Sequence, residues 1–87
     1  MTIELNFYTT DGCHLCDDAQ KLLKQLLVDY PQCYQIEIID IVESASLVEQ
    51  YGTRIPVVAD ANRAHDLGWQ FDYPTLISFA EGLVKSG

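Results

Sequence analysis

Residues 7–17 read FYTTDGCHLCD, and this stretch places two cysteines, Cys13 and Cys16, between two different kinds of sequence pattern. Before it, residues 3–8 alternate apolar and polar side chains, as a half-buried strand does. After it, apolar side chains recur at helical spacing, at Leu15, Ala19, Leu22, Leu23, Leu26 and Leu27. The sequence therefore predicts a strand-to-helix turn with Cys13 at or near the first turn of the helix.

This location matters for the chemistry of Cys13. The start of a helix favours negative charge, because its first backbone N–H groups are unpaired and its dipole is positive there. The thiolate is the reactive form of cysteine, so the location favours a reactive Cys13. Cys-x-x-Cys alone is compatible with a metal site or a redox pair, and the strand-to-helix context favours redox. Two structural cysteines are the alternative, but packing does not explain an exposed cysteine at a helix start.

Composition limits the function classes. The chain has 87 residues, which suits one domain over 1–87 with a modest core. Its net charge is −8, with only five Lys and Arg residues, so neither nucleic acid nor an anionic membrane is an expected partner. We expect a cytoplasmic protein, since no secretory signal or membrane-spanning run is visible and three cysteines make a poor disulfide framework.

The remaining pattern predicts the element order βαβαββα. The first helix covers residues 13–29 and ends before Pro31, and the second strand covers 34–39. The second helix starts at Ser44 and stops at Gly52. The third strand covers 55–59, a turn 60–63 and a short fourth strand 64–67. The helical crossover predicts parallel pairing of the first two strands, and the late hairpin predicts antiparallel pairing.

Two of the predicted helices have assigned inner faces. In the second helix the inward residues are Leu47, Val48 and Tyr51. In the last helix Asp72 is the N-cap and Pro74 lies in the first turn. Its inward residues are Leu76, Ile77, Ala80, Leu83 and Val84.

With residues 7–17 and a second motif, YGTRIPVV at 51–58, the chain resembles the glutaredoxin-like branch of the thioredoxin-fold superfamily. The resemblance covers essentially the whole chain. It implies an α/β thioredoxin fold, with a four-stranded mixed sheet in the order 2-1-3-4 and three flanking helices. It also implies that Pro56 is cis and lies against the cysteine pair.

The proline motif has a physical interpretation of its own. A cis X–Pro bond is uncommon and fixes a turn. In this fold it presents the backbone of Ile55 to an extended substrate segment, which can form strand-like hydrogen bonds there. The alternative is a trans Pro56 that merely opens a strand.

The cysteine pair and the resemblance together predict a thiol–disulfide oxidoreductase. Cys13 is the expected nucleophile, and Cys16 is the resolving thiol, shielded on the inward stripe while Cys13 is exposed. The expected partner is a disulfide-bearing protein or glutathione, which serves as a co-substrate. No organic cofactor and no metal are expected, and we expect a monomer.

Other residues have two interpretations each. His14 modulates charge beside the thiol or lies on the surface, and Arg54 holds a substrate carboxylate or is solvated. Asp72 matches an aspartate that glutathione-using glutaredoxins carry at the last helix, or is only an N-cap. Gly68 matches the first of two glycines in that family, whereas Trp69 replaces the second. Trp69 then serves as a lid over the core.

Cys33 and His65 are assigned no role in the site. Cys33 is expected to be a spare thiol and His65 structural or solvated. Two other functions remain open. A metal or a cluster shared between chains would use Cys13, Cys16 and His14, although no second Cys-x-x-Cys completes such a shell. A non-catalytic docking module of the same fold is the other.

Overall fold

The computed structural model describes residues 2–60 and 65–86, with side chains described up to Leu83. The strands are β1 (Ile3–Thr9), β2 (Tyr34–Asp40), β3 (Val57–Asp60) and β4 (Asp66–Gly68). The helices are α1 (His14–Asp29), α2 (Ala45–Tyr51) and α3 (Tyr73–Ser86), with a short 3-10 turn at Ile41–Glu43. The sheet order is β2-β1-β3-β4, so the predicted fold is confirmed.

Strand pairing follows the predicted directions. β1 pairs in parallel with β2, and the register ends at Thr9 opposite Asp40. β3 is antiparallel to β1 and also to β4, because Val57 lies opposite Tyr8 on one side and Gly68 on the other. The ends of β1, β2 and β4 and the start of β3 therefore meet at one end of the sheet.

The core has two layers because side chains alternate along each strand. On one face of β1, Leu5 and Phe7 pack with the buried sides of α1 and α3. On the other face, Tyr8 packs with residues that include Tyr51 of α2. The rings of Tyr8 and Tyr51 stack with centroids 4.3 Å apart. In α1 the buried stripe comprises Cys16, Ala19, Leu23 and Leu26.

The second helix differs from the prediction at two positions. Val48 is 44 % exposed and does not face inward, because a helix of seven residues, Ala45–Tyr51, turns only part of its surface to the sheet. Gly52 is the C-cap and has a right-handed backbone conformation, φ −53°, so it does not stop the helix through a left-handed turn. Ser44 is the N-cap as predicted.

The third and fourth strands are displaced from their predicted bounds. β3 starts at Val57 rather than Ile55, because the N–H of Ile55 still donates to the carbonyl of Tyr51, at 3.1 Å. The predicted turn at 60–63 lies outside the described residues except for Asp60, which ends β3. β4 covers Asp66–Gly68, so it begins after His65 and ends one residue later than predicted, and Ala64 lies outside the described residues.

The start of α3 is formed as predicted. The carboxylate of Asp72 accepts a hydrogen bond from the N–H of Thr75, at 2.9 Å. Tyr73 donates its hydroxyl hydrogen bond to Asp29, which joins the start of α3 to the end of α1. The buried residues of α3 are Leu76, Ala80 and Leu83, with Ile77 half-buried and the side chain of Val84 outside the described part. No described helix has the length and apolar character needed to cross a membrane.

Candidate redox site at the start of helix α1

Cys13 and Cys16 form a disulfide at the start of α1, with their Cα atoms 5.2 Å apart. Cys13 is the N-cap residue, and its Sγ accepts a hydrogen bond from the backbone N–H of Cys16, at 3.2 Å. Cys16 is buried at 3 % exposure. Cys13 is half-buried and packs against the core cluster, so the expectation of an exposed Cys13 is corrected to partial access.

This asymmetry determines which sulfur can react with an incoming group. Thiol–disulfide exchange needs access to the attacked sulfur, and Cys13 offers more access than Cys16. In the disulfide form, the N-cap position places the backbone N–H of Cys16 beside Sγ of Cys13. A backbone N–H that donates a hydrogen bond to a thiolate stabilises the charged form, and the helix dipole does the same.

The loop that leads into the cysteines depends on Gly12. Its φ is +79°, in the left-handed region that side chains disfavour. The turn lets the chain leave β1 and enter α1 with Cys13 at the cap. An added Cβ at Gly12 would meet no atom within 4 Å, so the constraint comes from backbone conformation and not from space.

A cavity of about 290 Å³ opens beside the disulfide and is lined by both cysteines. Its wall includes the loop residues 9–12, His14, Asp17 and Asp40. His14 is exposed. A larger groove of about 450 Å³ runs along β1 and β2 between Glu4 and Glu37, and neither cysteine lines it. The smaller cavity is therefore the one where disulfide chemistry can occur.

The second sequence motif lies at the same end of the sheet. The Ile55–Pro56 peptide bond is cis, and Pro56 is buried immediately before Val57, which pairs with Tyr8. Because β1 continues from Tyr8 toward the cysteine loop, Pro56 and that loop share one end of the sheet. The carbonyl of Pro56 accepts a hydrogen bond from the N–H of Trp69, at 3.0 Å.

The backbone of Ile55 can form fewer hydrogen bonds with a docked segment than the sequence analysis predicts. Its N–H donates to the carbonyl of Tyr51, at 3.1 Å, and is already used within the chain. Among the described residues its carbonyl accepts no hydrogen bond. A docked segment can therefore donate to Ile55 but cannot also accept from it unless the turn after α2 opens.

Arg54 is engaged by a residue that the sequence analysis did not single out. Its guanidinium contacts both carboxylate oxygens of Asp66, at 2.7 and 3.3 Å, and lies over the ring of Tyr51, 5.7 Å from its centroid. The hydrogen bond to Asp66 raises the pKa of Arg54. The two residues are 12 positions apart, and only the β3–β4 hairpin brings them together.

The segment before α3 is filled by aromatic side chains. Trp69 is half-buried and packs edge-to-face on Phe71, with ring centroids 5.1 Å apart, which agrees with a lid over the core. Hydrogen bonds from Thr75 lower the pKa of Asp72, whose carboxylate is exposed. Asp72 thus acts as the helix cap, and its part in substrate binding stays a prediction.

The other polar candidates lie apart from the disulfide. Cys33 is a free, exposed thiol and His65 is exposed. In the described part of the chain, no group of three or more His, Cys, Asp or Glu side chains is arranged to hold a metal ion. Gln20 and Asp40 also line the cavity, and the sequence analysis singled out neither. The place of Asp40 could have been inferred, because parallel strands end at the same edge and Asp40 ends β2 beside Thr9.

Residues 4–80 match the family described as Glutaredoxin-like domain (DUF836). The chain belongs to this glutaredoxin-like family. A search among curated proteins found no match.

Two solved structures are similar to this chain over most of its length. Target protein XcR50 from X. campestris, solved by X-ray crystallography, is 33 % identical in sequence to this chain. The match covers 90 % of this chain and 96 % of the XcR50 chain, with a TM-score of 0.72. Protein Ne2328 from Nitrosomonas europaea is 26 % identical over 88 % of this chain and 89 % of its own, with a TM-score of 0.72.

A more distant structure identifies the fold. Thioredoxin 1 from Thermosipho africanus TCF52B is 18 % identical, covers 95 % of this chain and 96 % of its own, and has a TM-score of 0.69. The glutaredoxin-like chain therefore has the thioredoxin fold that its sequence predicts. Its Cys13–Cys16 pair is consistent with a redox function.

Proposed function

We propose that this glutaredoxin-like protein is a thiol–disulfide oxidoreductase that reduces disulfides of other molecules. The observation that carries the proposal is the cysteine pair itself: the more accessible Cys13 caps α1 and is joined to the buried Cys16. A purely structural disulfide needs neither a cavity beside it nor a difference in exposure between its two cysteines.

The reaction balances in two exchange steps. The thiolate of Cys13 attacks a substrate disulfide, forms a mixed disulfide, and displaces one substrate thiolate, which takes a proton from water. The thiolate of Cys16 then attacks Sγ of Cys13 and displaces the second substrate thiolate. The product is the Cys13–Cys16 disulfide that the structure contains. Two glutathione molecules, which become glutathione disulfide, or one protein dithiol, which becomes a disulfide, supply the two electrons that restore the reduced pair.

Residues at the same end of the sheet support docking. The unpartnered carbonyl of Ile55, next to the buried Pro56, can accept an N–H from an extended substrate segment. His14 lies at the cavity wall beside Cys13, where a protonated imidazole would favour the thiolate. Arg54 can hold a substrate carboxylate only after Asp66 releases it.

The experiment measures oxidation of the reduced protein by a disulfide-bonded peptide. In a Cys33→Ser background we expect a rapid reaction that Cys13→Ser abolishes. Cys16→Ser should instead stop at a mixed disulfide on Cys13, which mass spectrometry detects as a mass increase. Reduction that persists in Cys13→Ser, or no reduction by the parent protein, would contradict the proposal.

A further inference from the structure

The cavity at the redox disulfide is walled by carboxylates from three elements. Asp11 comes from the loop after β1, Asp17 from the first turn of α1, and Asp40 from the end of β2. Cys13 and Cys16 line the same cavity. Any molecule that reacts with the disulfide from this cavity must therefore approach among these three carboxylates.

None of these three carboxylates is held in an ion pair within the described part of the chain. Asp11, Asp17 and Asp40 have no ion-pair partner among the residues that the structure describes. One carboxylate oxygen of Asp40 accepts a hydrogen bond from the backbone N–H of Val42, at 3.1 Å. This hydrogen bond does not neutralise the charge of the carboxylate. His14 is the one basic side chain among the residues that line this cavity.

Arg54 is a cation just before the start of β3, and it is already held in an ion pair. Arg54 is paired with Asp66 through both carboxylate oxygens, so an anionic substrate would have to displace that pair. The protein as a whole has a net charge of −8, which adds a repulsive field for anions. Each half of glutathione disulfide carries two carboxylates and one ammonium group, so the molecule has a net negative charge. Approach of glutathione disulfide to this cavity is therefore electrostatically unfavourable.

The backbone of Ile55, beside Pro56, favours a polypeptide over a small cation as the substrate. The carbonyl of Ile55 is an acceptor without a partner in the described chain, and the backbone N–H of an extended segment fits it. A peptide chain that donates this hydrogen bond lies at the same end of the sheet as the loop that leads into the cysteines.

From these observations we propose that the preferred substrate is a disulfide in a cationic polypeptide segment, with Lys or Arg beside the reacting cysteine. This inference rests on the proposed oxidoreductase function and specifies its substrate class. Asp11, Asp17 and Asp40 determine the specificity by attracting the basic side chains during approach. Such attraction acts on the association rate and weakens as salt screens it.

The experiment compares three disulfide-bonded peptides that differ only in whether Lys, Gln or Glu flanks the cysteine, together with glutathione disulfide. The rate of oxidation of the reduced protein is measured at about pH 8, where a histidine of ordinary pKa is neutral. Because flanking charge changes the intrinsic reactivity of a disulfide, each rate is divided by the rate of the same disulfide with dithiothreitol.

After this normalisation, the Lys peptide should react about tenfold faster than the Glu peptide at low salt. The ratio should approach one at about 0.5 M salt. Asp11→Asn with Asp17→Asn should reduce the ratio about threefold or more. The matched control is Asp18→Asn, which removes an exposed carboxylate next to Asp17 that does not line the cavity and should leave the ratio unchanged.

The outcomes separate the two proposals. Equal normalised rates for the three peptides, or a preference for glutathione disulfide over the Gln peptide, would overturn the substrate class and leave the oxidoreductase function standing. An equal loss of the ratio in Asp18→Asn would also overturn it, because the effect would then be general charge and not this cavity. If no peptide reacts in a Cys13-dependent way, both proposals fail.

Discussion

The backbone N–H of Cys16 donates a hydrogen bond to Sγ of Cys13, at 3.2 Å. This contact is both the N-cap of α1 and a feature of the candidate redox site, because the capping atom is the sulfur of the more accessible cysteine. The sequence places two cysteines at this spacing, and the helix start brings the donor and the sulfur together. Helix formation and thiol chemistry are therefore coupled at one atom.

This contact predicts an acidic thiol at Cys13. In the reduced protein carrying Cys33→Ser, the rate of Cys13 alkylation against pH should reach half its maximum at least about one unit below 8.5, the usual value for cysteine. Asp17→Asn should lower the midpoint further, since a nearby carboxylate opposes the thiolate. A midpoint near that of a free cysteine peptide would show that the cap does not activate the thiol.

The Arg54–Asp66 pair predicts a gain of function from removing one partner. Asp66→Asn should release Arg54 and raise the rate with glutathione disulfide about threefold, because a free cation then faces the anionic substrate. The double change Arg54→Gln with Asp66→Asn should cancel this gain. Stability should change by only about 0.5 kcal/mol, since both side chains are partly exposed. An unchanged rate in Asp66→Asn would remove Arg54 from the substrate site.

The cap at Asp72 predicts a pH-dependent contribution to stability. Its pKa is lowered from 3.8 by hydrogen bonds from Thr75, so the contribution is present above pH 3.8 and is lost as pH falls through the folded-state pKa. Asp72→Ala should lower the midpoint of thermal unfolding at pH 7, and the difference from the parent should shrink below pH 3.8.

The control for this cap is Asp72→Ser, which retains a side chain able to accept the N–H of Thr75. It should unfold at a temperature closer to that of the parent than Asp72→Ala does at pH 7. If Asp72→Ala and Asp72→Ser unfold alike, or if the effect of Asp72→Ala is the same at every pH, the capping carboxylate is not the cause.

The buried stripe of α1 predicts a contrast between two identical substitutions. Leu26 is fully buried, so Leu26→Ala should reduce the free energy of unfolding by about 2–5 kcal/mol. Leu15 is 51 % exposed, and Leu15→Ala should cost about 0.5 kcal/mol or less. Denaturant unfolding followed by circular dichroism measures both. Similar losses would mean that the predicted inner face of α1 is wrong.

Local patterns in the sequence were enough to predict most elements. The alternation in β1, the inward stripe of α1 and the cap at Asp72 each depend on neighbours within a few positions, and the structure confirms them. Of the apolar residues that give α1 its helical spacing, Leu15 and Leu27 are exposed. Predictions failed where local patterns were short. Val48 has the spacing of an inward residue, but α2 is too short for its whole apolar set to face the sheet.

The sequence by itself determined the order of elements and the placing of Cys13 and Cys16 at a helix start, because these follow from periodicity and from the chain's own turns. The sheet order followed from the resemblance of its motifs to those of a known family. Only the tertiary structure decided the surroundings of the cysteines. Parallel register brings Asp40 beside the loop, and the hairpin turns Asp66 onto Arg54. Charges far apart in sequence become neighbours only when strands pair, so the electrostatics of the site is a property of the folded sheet.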